Sequence, residues 1–127
     1  MATRKRTTAP RKAAGVAIDS HFENRAPEVR KTYAAIVKAA KALGPVRQEA
    51  KKTSIHLVRK SAFAGVATRK DALILTVKSQ RDLRSARVVK REQVSANRWH
   101  IEVRLREPAE VDTELRAWLA ASYALSA

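Results

Sequence analysis

From Trp99 to Leu105 every second residue is apolar: Trp99, Ile101, Val103, Leu105. Between them stand Arg98, His100, Glu102, Arg104 and Arg106. Period-two alternation is the signature of a strand with one buried and one wet face. The same period runs back through the middle of the chain. Leu73, Leu75 and Val77 alternate with Ile74 and Thr76; Ile55 and Leu57 alternate with His56 and Val58. The pattern predicts strands over 46–50, 54–59, 63–68, 72–78, 87–93 and 98–106. Turns fall at Lys60–Ser61, Thr68–Asp71 and Ser95–Asn97, and a polar loop spans 79–86. Short connections imply antiparallel neighbours, because parallel pairs need long crossovers.

The period changes at both ends of this region. Val29, Tyr33, Ile36, Val37, Ala40 and Leu43 follow the helical i, i+4, i+7 spacing. Pro27 suits the first helical position, and Gly44–Pro45 supplies the stop, so a helix is expected over 27–43. Arg30, Lys31, Lys38 and Lys41 fall on a flank beside its apolar stripe. Val111, Leu115, Trp118, Leu119 and Ser122 define a second helix over 108–124. Glu107, Glu110 and Asp112 crowd its first turn, where anions favour the helix dipole. A short helical turn is expected over Ile18–Phe22, with Asp19 or Ser20 near its start. The expected fold class is α+β: an antiparallel meander sheet of five to six strands, flanked in sequence by an N-terminal and a C-terminal helix. Each helix has one apolar stripe to bury, so both should pack on the same sheet face.

Residues 1–17 show no periodicity and read as a basic disordered arm, leaving 18–127 as a single domain. The arm carries Arg4, Lys5, Arg6, Arg11 and Lys12 without an acid. It has no apolar run of the kind a secretory signal needs. An Arg-rich, acid-free start also fits an organelle transit peptide; a basic tail is the preferred reading. The net charge of +15 is uneven: +5 over 1–15, +2 over 16–45, +11 over 46–106 and −3 over 107–127. Polyanions, nucleic acid or an acidic protein, are the natural partners of such a surface, while basicity for solubility alone is the bland reading and keeps slightly the greater weight. The chain has no cysteine, which excludes disulfides and thiolate metal sites and fits a reducing, cytoplasmic setting. No apolar run approaches the roughly 20 residues that span a bilayer, so no membrane partner is expected.

Taken in order, HFENRAPEVRKTYAAIV, GPVR, KKTSIHLVR, FAGV, RKDALIL, RWHIEVRL and AEVDTELRAWLAASYAL resemble a small bacterial domain. That family is catalogued as domain of unknown function 5655, and the resemblance covers about residues 18 to 126. It implies an α+β domain, found alone or beside other domains, some of them nuclease-like. It implies no established activity or substrate. The family-like positions are His21, Phe22, Lys52, Thr53, Phe63, His100, Asp112 and Trp118. The arm lies outside the resemblance and inherits no role from it.

Chemistry finds little footing in these residues. His21, His56 and His100 stand in no HxH, HxxxH or HExxH spacing, so no metal is expected. Three glycines cannot build a phosphate loop or a dinucleotide fingerprint, so no cofactor is expected either. Glu49–Ala50–Lys51 and Glu102–Val103–Arg104 have the E-x-K shape of some nucleases. In a chain this basic the shape arises by chance, and no pair of acids is placed to hold a metal. Whether the chain is an enzyme stays open, with the balance toward no.

Two candidate sites emerge. Nucleic-acid phosphate would be held by Arg4, Lys5, Arg6, Arg11 and Lys12 of the arm, by Arg30, Lys31, Lys38 and Lys41 of the first helix, and by the wet basic face of the sheet. If His56 and His100 share a sheet face, they frame an anion pocket with Lys52 and Arg104; the family-like His21 and Thr53 complete that candidate pocket. The bland reading, histidines on an ordinary wet face, is preferred for it. Tyr33, Trp99, Trp118 and Tyr123 read as core, and Phe63 is the one aromatic considered for exposure. With no stacking platform, nucleic-acid binding should be backbone-driven and nonspecific. The alternatives are a protein-interaction domain that docks an acidic partner, and a small anion or ligand pocket.

Overall fold

A computed structural model describes residues 18–127; the arm over 1–17 lies outside the described residues. The elements are α1 (Pro27–Lys41), β1 (Arg47–Ala50), β2 (Ile55–Val58), β3 (Ala62–Thr68), β4 (Leu73–Ser79), β5 (Val88–Ser95), β6 (Arg98–Leu105) and α2 (Thr113–Ala124). A 3₁₀ turn, Pro108–Glu110, precedes α2. The fold is α+β, with a six-stranded antiparallel meander sheet in the order β1-β2-β3-β4-β6-β5. Both helices pack against each other and against the same face of the sheet.

The central pair explains the arrangement. Leu73, Leu75 and Val77 of β4 stand opposite Leu105, Val103 and Ile101 of β6, and all six are buried. Val29, Ile36 and Ala40 of α1 and Leu115 and Leu119 of α2 cover them. Sequential order breaks once: β6 lies between β4 and β5, so residues 80–87 cross over β6 rather than join neighbours. The reason is apolar content. β6 offers a fully alternating strand to the sheet interior, whereas β5 is exposed along nearly its whole length and suits an edge. Its two most exposed apolar residues, Val89 and Val94, are the extra residues where the β5–β6 register shifts. Such bulges blunt an edge against pairing with another chain.

Two helix ends differ from the periodicity. Helix α1 stops at Lys41, and Leu43 is left exposed. Gly44 adopts φ 150°, a conformation that glycine alone reaches without strain, and Tyr123 Oη donates to the neighbouring Pro45 carbonyl at 3.0 Å. The second helix starts five residues later than its apolar spacing implies. Glu110 folds back to accept from the Arg106 and Glu107 amides, and this closes a 3₁₀ turn. Asp112 then caps α2, accepting from Leu115 N at 3.0 Å. Phe63, considered for exposure in the sequence, is buried at 1% exposure. It sits at the β2–β3 register shift and meets the Tyr123 ring edge-on at 5.0 Å.

The crossing segment is stapled at its end. Arg87 Nη1 donates to Asp112 Oδ1 at 2.8 Å and to Glu114 Oε1 at 3.2 Å, while Nη2 reaches the Glu110 carbonyl. The acidic run at the start of α2 therefore caps the helix and clamps β5 to it. The Arg87 hydrogen bond, followed by that from the Leu115 amide, holds the Asp112 carboxyl below its ordinary value of 3.8. A depressed folded-state pKa means the charged form stabilises the fold above pH 3.8, and the contribution is lost as pH falls through the folded value. Asp112→Ala should therefore melt below wild type at neutral pH. The gap should close on acidification below the ordinary carboxylate range, as read by thermal unfolding across pH 2 to 7. A gap that does not change with pH would refute the charged cap.

Candidate functional site

With both helices on one face, the other face of the sheet carries the outward half of every strand. Register places Glu49, His56, Gly65, Thr76, Glu102 and Lys90 in one row across all six strands. In the adjoining row Lys78 stands opposite His100, and His100 opposite Glu92. Strand β3 supplies only Gly65 and Ala67 to the middle of this face, between larger side chains on β2 and β4. A concavity of about 330 Å³ results, with Gly65 on its floor and Ser54, His56, Thr76, Lys78 and His100 among its walls. His56 and His100 sit on opposite sides, three strand spacings or about 14 Å apart. Neither imidazole makes a hydrogen bond to a described residue.

Lys78 is the concavity's cation. Its Nζ donates to Ser126 Oγ at 2.9 Å and to Ser61 Oγ at 3.2 Å. Among the described residues no carboxylate pairs with it. Partial burial, and then the charge of Arg98, hold its pKa below the ordinary lysine value. The two hydroxyls come from the β2–β3 turn and the chain's C-terminal end, so the ammonium is positioned without being neutralised.

Gly65 keeps the floor open, and the fold does not require it to. Its φ is not positive, and an added Cβ would sit 3.9 Å from His56 Cδ2 and 3.9 Å from Thr76 Cβ, ordinary contact distances. Glycine within a strand costs about 0.5–1 kcal/mol relative to alanine.

The residues singled out in the sequence divide among three places. His56 and His100 meet the concavity. Arg104 shares their face but pairs with Ile74, beyond the walls. His21, Lys52 and Thr53 gather at the β1–β2 turn, where His21 Nε2 lies 2.8 Å from the Lys51 carbonyl oxygen. Arg30, Lys38 and Lys41 border a groove of about 500 Å³ against Phe22, Tyr33 and Val37. Arg30 is ion-paired with Asp19 at 2.6 Å and Lys31 with Glu28 at 3.2 Å; Lys38 and Lys41 have no carboxylate partner among the described residues. Burial pushes the Tyr33 phenol up to about 12 against the opposing charge of Arg30, and Tyr33 donates to Gln48 Oε1. Arg4, Lys5, Arg6, Arg11 and Lys12 lie outside the described residues.

The E-x-K acids do not converge. Glu49 is held by Arg47 and Lys51, and the Arg47 hydrogen bond leads the effects that lower its pKa. Glu102 is four strand spacings away, about 19 Å. Among the described residues no three His, Asp or Glu side chains cluster as a metal site, and no helix is long and apolar enough to cross a membrane.

Lys78, Thr76 and Gly65 were not singled out in the sequence. The signal was present: Lys78 continues the outward phase of 73-LILTVKS-79, and Gly65 is a lone glycine within a strand run, which often marks a close approach.

The open face moderates the expected basicity. Arg47, Lys78, Lys90, Arg98 and Arg104 share it with Glu49, Glu92 and Glu102. Lys52, Arg69, Lys70, Arg104 and Arg106 lie along one end of the sheet, the end that carries the β1–β2 turn, the β3–β4 turn and the end of β6. Among the described residues none of the five has a carboxylate partner. Residues 21–26 are pinned to this end. Thr68 Oγ1 donates to the His21 carbonyl at 2.6 Å, Arg25 Nε donates to Thr68 Oγ1 at 3.1 Å, and the Ala26 amide donates to the Lys70 carbonyl at 2.7 Å. Ile18, where the described chain begins, lies one helical turn before His21.

The geometry is that of a one-sided α+β domain, whose helices cover one sheet face and whose opposite face carries a shallow concavity with two imidazoles and a lysine. The chain belongs to the family described as a domain of unknown function, DUF5655, whose model matches residues 18–126. No curated protein and no solved structure matches it.

Gly65→Ala should stabilise the domain by about 0.5–1 kcal/mol in urea denaturation, because strand geometry and neighbours accept a methyl group. A loss of stability would show that the glycine is structural.

Proposed function

We propose that this chain is a small binding module for nucleic-acid phosphate, acting in a reducing compartment such as the cytoplasm. The observation that carries the reading is the surplus of unpaired cations. Of the 27 Lys and Arg residues, five lie in the arm, leaving 22 over 18–127 against 12 acids. Seven of the 22 are ion-paired among the described residues, Arg87 by two carboxylates. Fifteen have no carboxylate partner among the described residues, although some, such as Arg59 and Arg116, bond to backbone carbonyls. The arm joins the domain at Ile18, which lines the α1 groove beside Arg30, Lys38 and Lys41, and residues 21–26 then run to the sheet end that carries Arg69 and Lys70, so arm and domain cations can follow one phosphate backbone. Contacts of this kind position a polyanion without reading its sequence.

A second reading has its own support. The groove beside α1 combines apolar Phe22, Tyr33 and Val37 with Arg30, Lys38 and Lys41. That chemistry suits an acidic protein segment with apolar anchors, docked on the face opposite the concavity.

Replacing Arg4, Lys5, Arg6, Arg11 and Lys12 by Gln in the full chain separates the readings. Affinity for generic duplex DNA between about 50 and 200 mM salt should fall with a log–log slope of about −0.9 per phosphate contact. The five-fold variant should bind more weakly and with a shallower slope. Undetectable binding by wild type at low salt would defeat the phosphate reading, and identical slopes would remove the arm from it.

A further inference from the structure

We propose that the concavity on the open sheet face takes one nucleotide unit, its base lying flat over Gly65 between His56 and His100 and its phosphate held by Lys78. The inference rests on the nucleic-acid reading and adds to it a specific place where an unstacked base is received.

Three observations converge. First, the floor is kept empty by a residue the backbone does not demand. Gly65 has no positive φ, and a Cβ there would meet its neighbours at 3.9 Å. A strand-weakening glycine that sterics do not require is accounted for by something that must lie close against the sheet. Second, the walls have mixed chemistry. Gly65, Ala67 and Ala62 offer a flat apolar surface, the two imidazoles offer ring faces or edges, and Ser54 and Thr76 offer hydroxyls. A bare phosphate needs several converging donors and little room, whereas about 330 Å³ is near the lower bound for a small-molecule site. A planar aromatic body with one anionic group satisfies both the flat floor and the single cation. Proteins that receive unpaired bases stack them on aromatic rings, histidine included. Third, Lys78 is held by Ser61 and Ser126 and has no carboxylate partner among the described residues, so its charge is available to the ligand. Arg98 precedes His100 by two residues on the same face and extends the cationic path along β6.

The face is open along its length, so the unit can arrive free or as part of a single strand. A duplex keeps its bases stacked and cannot present one to the floor. The test uses the full chain and three probes: a thymidine 12-mer, a duplex of the same length, and free thymidine monophosphate. Gly65→Val fills the floor with a residue favoured in strands, and Lys78→Gln removes the charge while keeping a polar side chain. Thermal melts establish that both variants fold. Both variants should weaken 12-mer binding roughly tenfold and leave duplex binding within about twofold, since the duplex relies on the arm and the sheet's basic end. Weakening confined to thymidine monophosphate would assign the site to free nucleotides. Unchanged binding of both 12-mer and monophosphate by a folded Gly65→Val protein overturns the concavity but leaves the phosphate reading standing. Absence of binding to all three probes by wild type overturns both.

Discussion

Six aliphatic side chains on two adjacent strands set the rest of the molecule in place. Leu73, Leu75 and Val77 face the helices beside Leu105, Val103 and Ile101. A one-residue slip in this pairing would send all of one strand's apolar side chains to water, so the register is strongly specified. Once it is fixed, the outward residues follow. Thr76 must stand beside Glu102, and Lys78 beside His100. The charged half of β6 is not a separate design element. It is the phase left over after the core has taken its share, and its chemistry is sorted by what the neighbouring strands place next to it.

That sorting changes the meaning of His100. In isolation, 98-RWHIEVRLRE-107 mixes an imidazole, acids and guanidiniums in a way that resembles a catalytic strip. In the sheet, Glu102 is paired across with Thr76 and Lys90, and His100 with Lys78 and Glu92. Among the described residues no three His, Asp or Glu side chains gather as a metal site around Glu102. What His100 does share, with His56 and Lys78, is a hollow produced by the small side chains of β3.

Much of the fold was legible because its signals are local. The change of period from 3.6 to two and back again located both helices and all six strands. Gly44–Pro45 marked the end of α1 to within two residues. The late start of α2 was not legible, because it depends on Glu110 turning back to the Arg106 and Glu107 amides and on Arg87 reaching across from another strand. The placement of β6 inside β5 was likewise invisible to periodicity, being set by which strand has the fuller apolar face to bury. The candidate site was half legible for the same reason. Alternation put His56 and His100 on one phase each, but only cross-strand register joins them through Gly65 and Lys78. It also separates them from His21, Lys52 and Thr53, which gather at the β1–β2 turn at the sheet's end.

The central claim is that the open sheet face, not the helical side, receives the nucleic acid. Backbone amide chemical shifts of the full chain, followed by NMR during titration with a short single-stranded oligonucleotide, test it most directly. The account predicts the largest shifts at Gly65, Thr76, Lys78 and His100, with a second group at Lys52, Arg69 and Lys70. Shifts confined to the α1 groove, around Arg30, Tyr33, Val37 and Lys41, with the Gly65 amide unmoved, would contradict it.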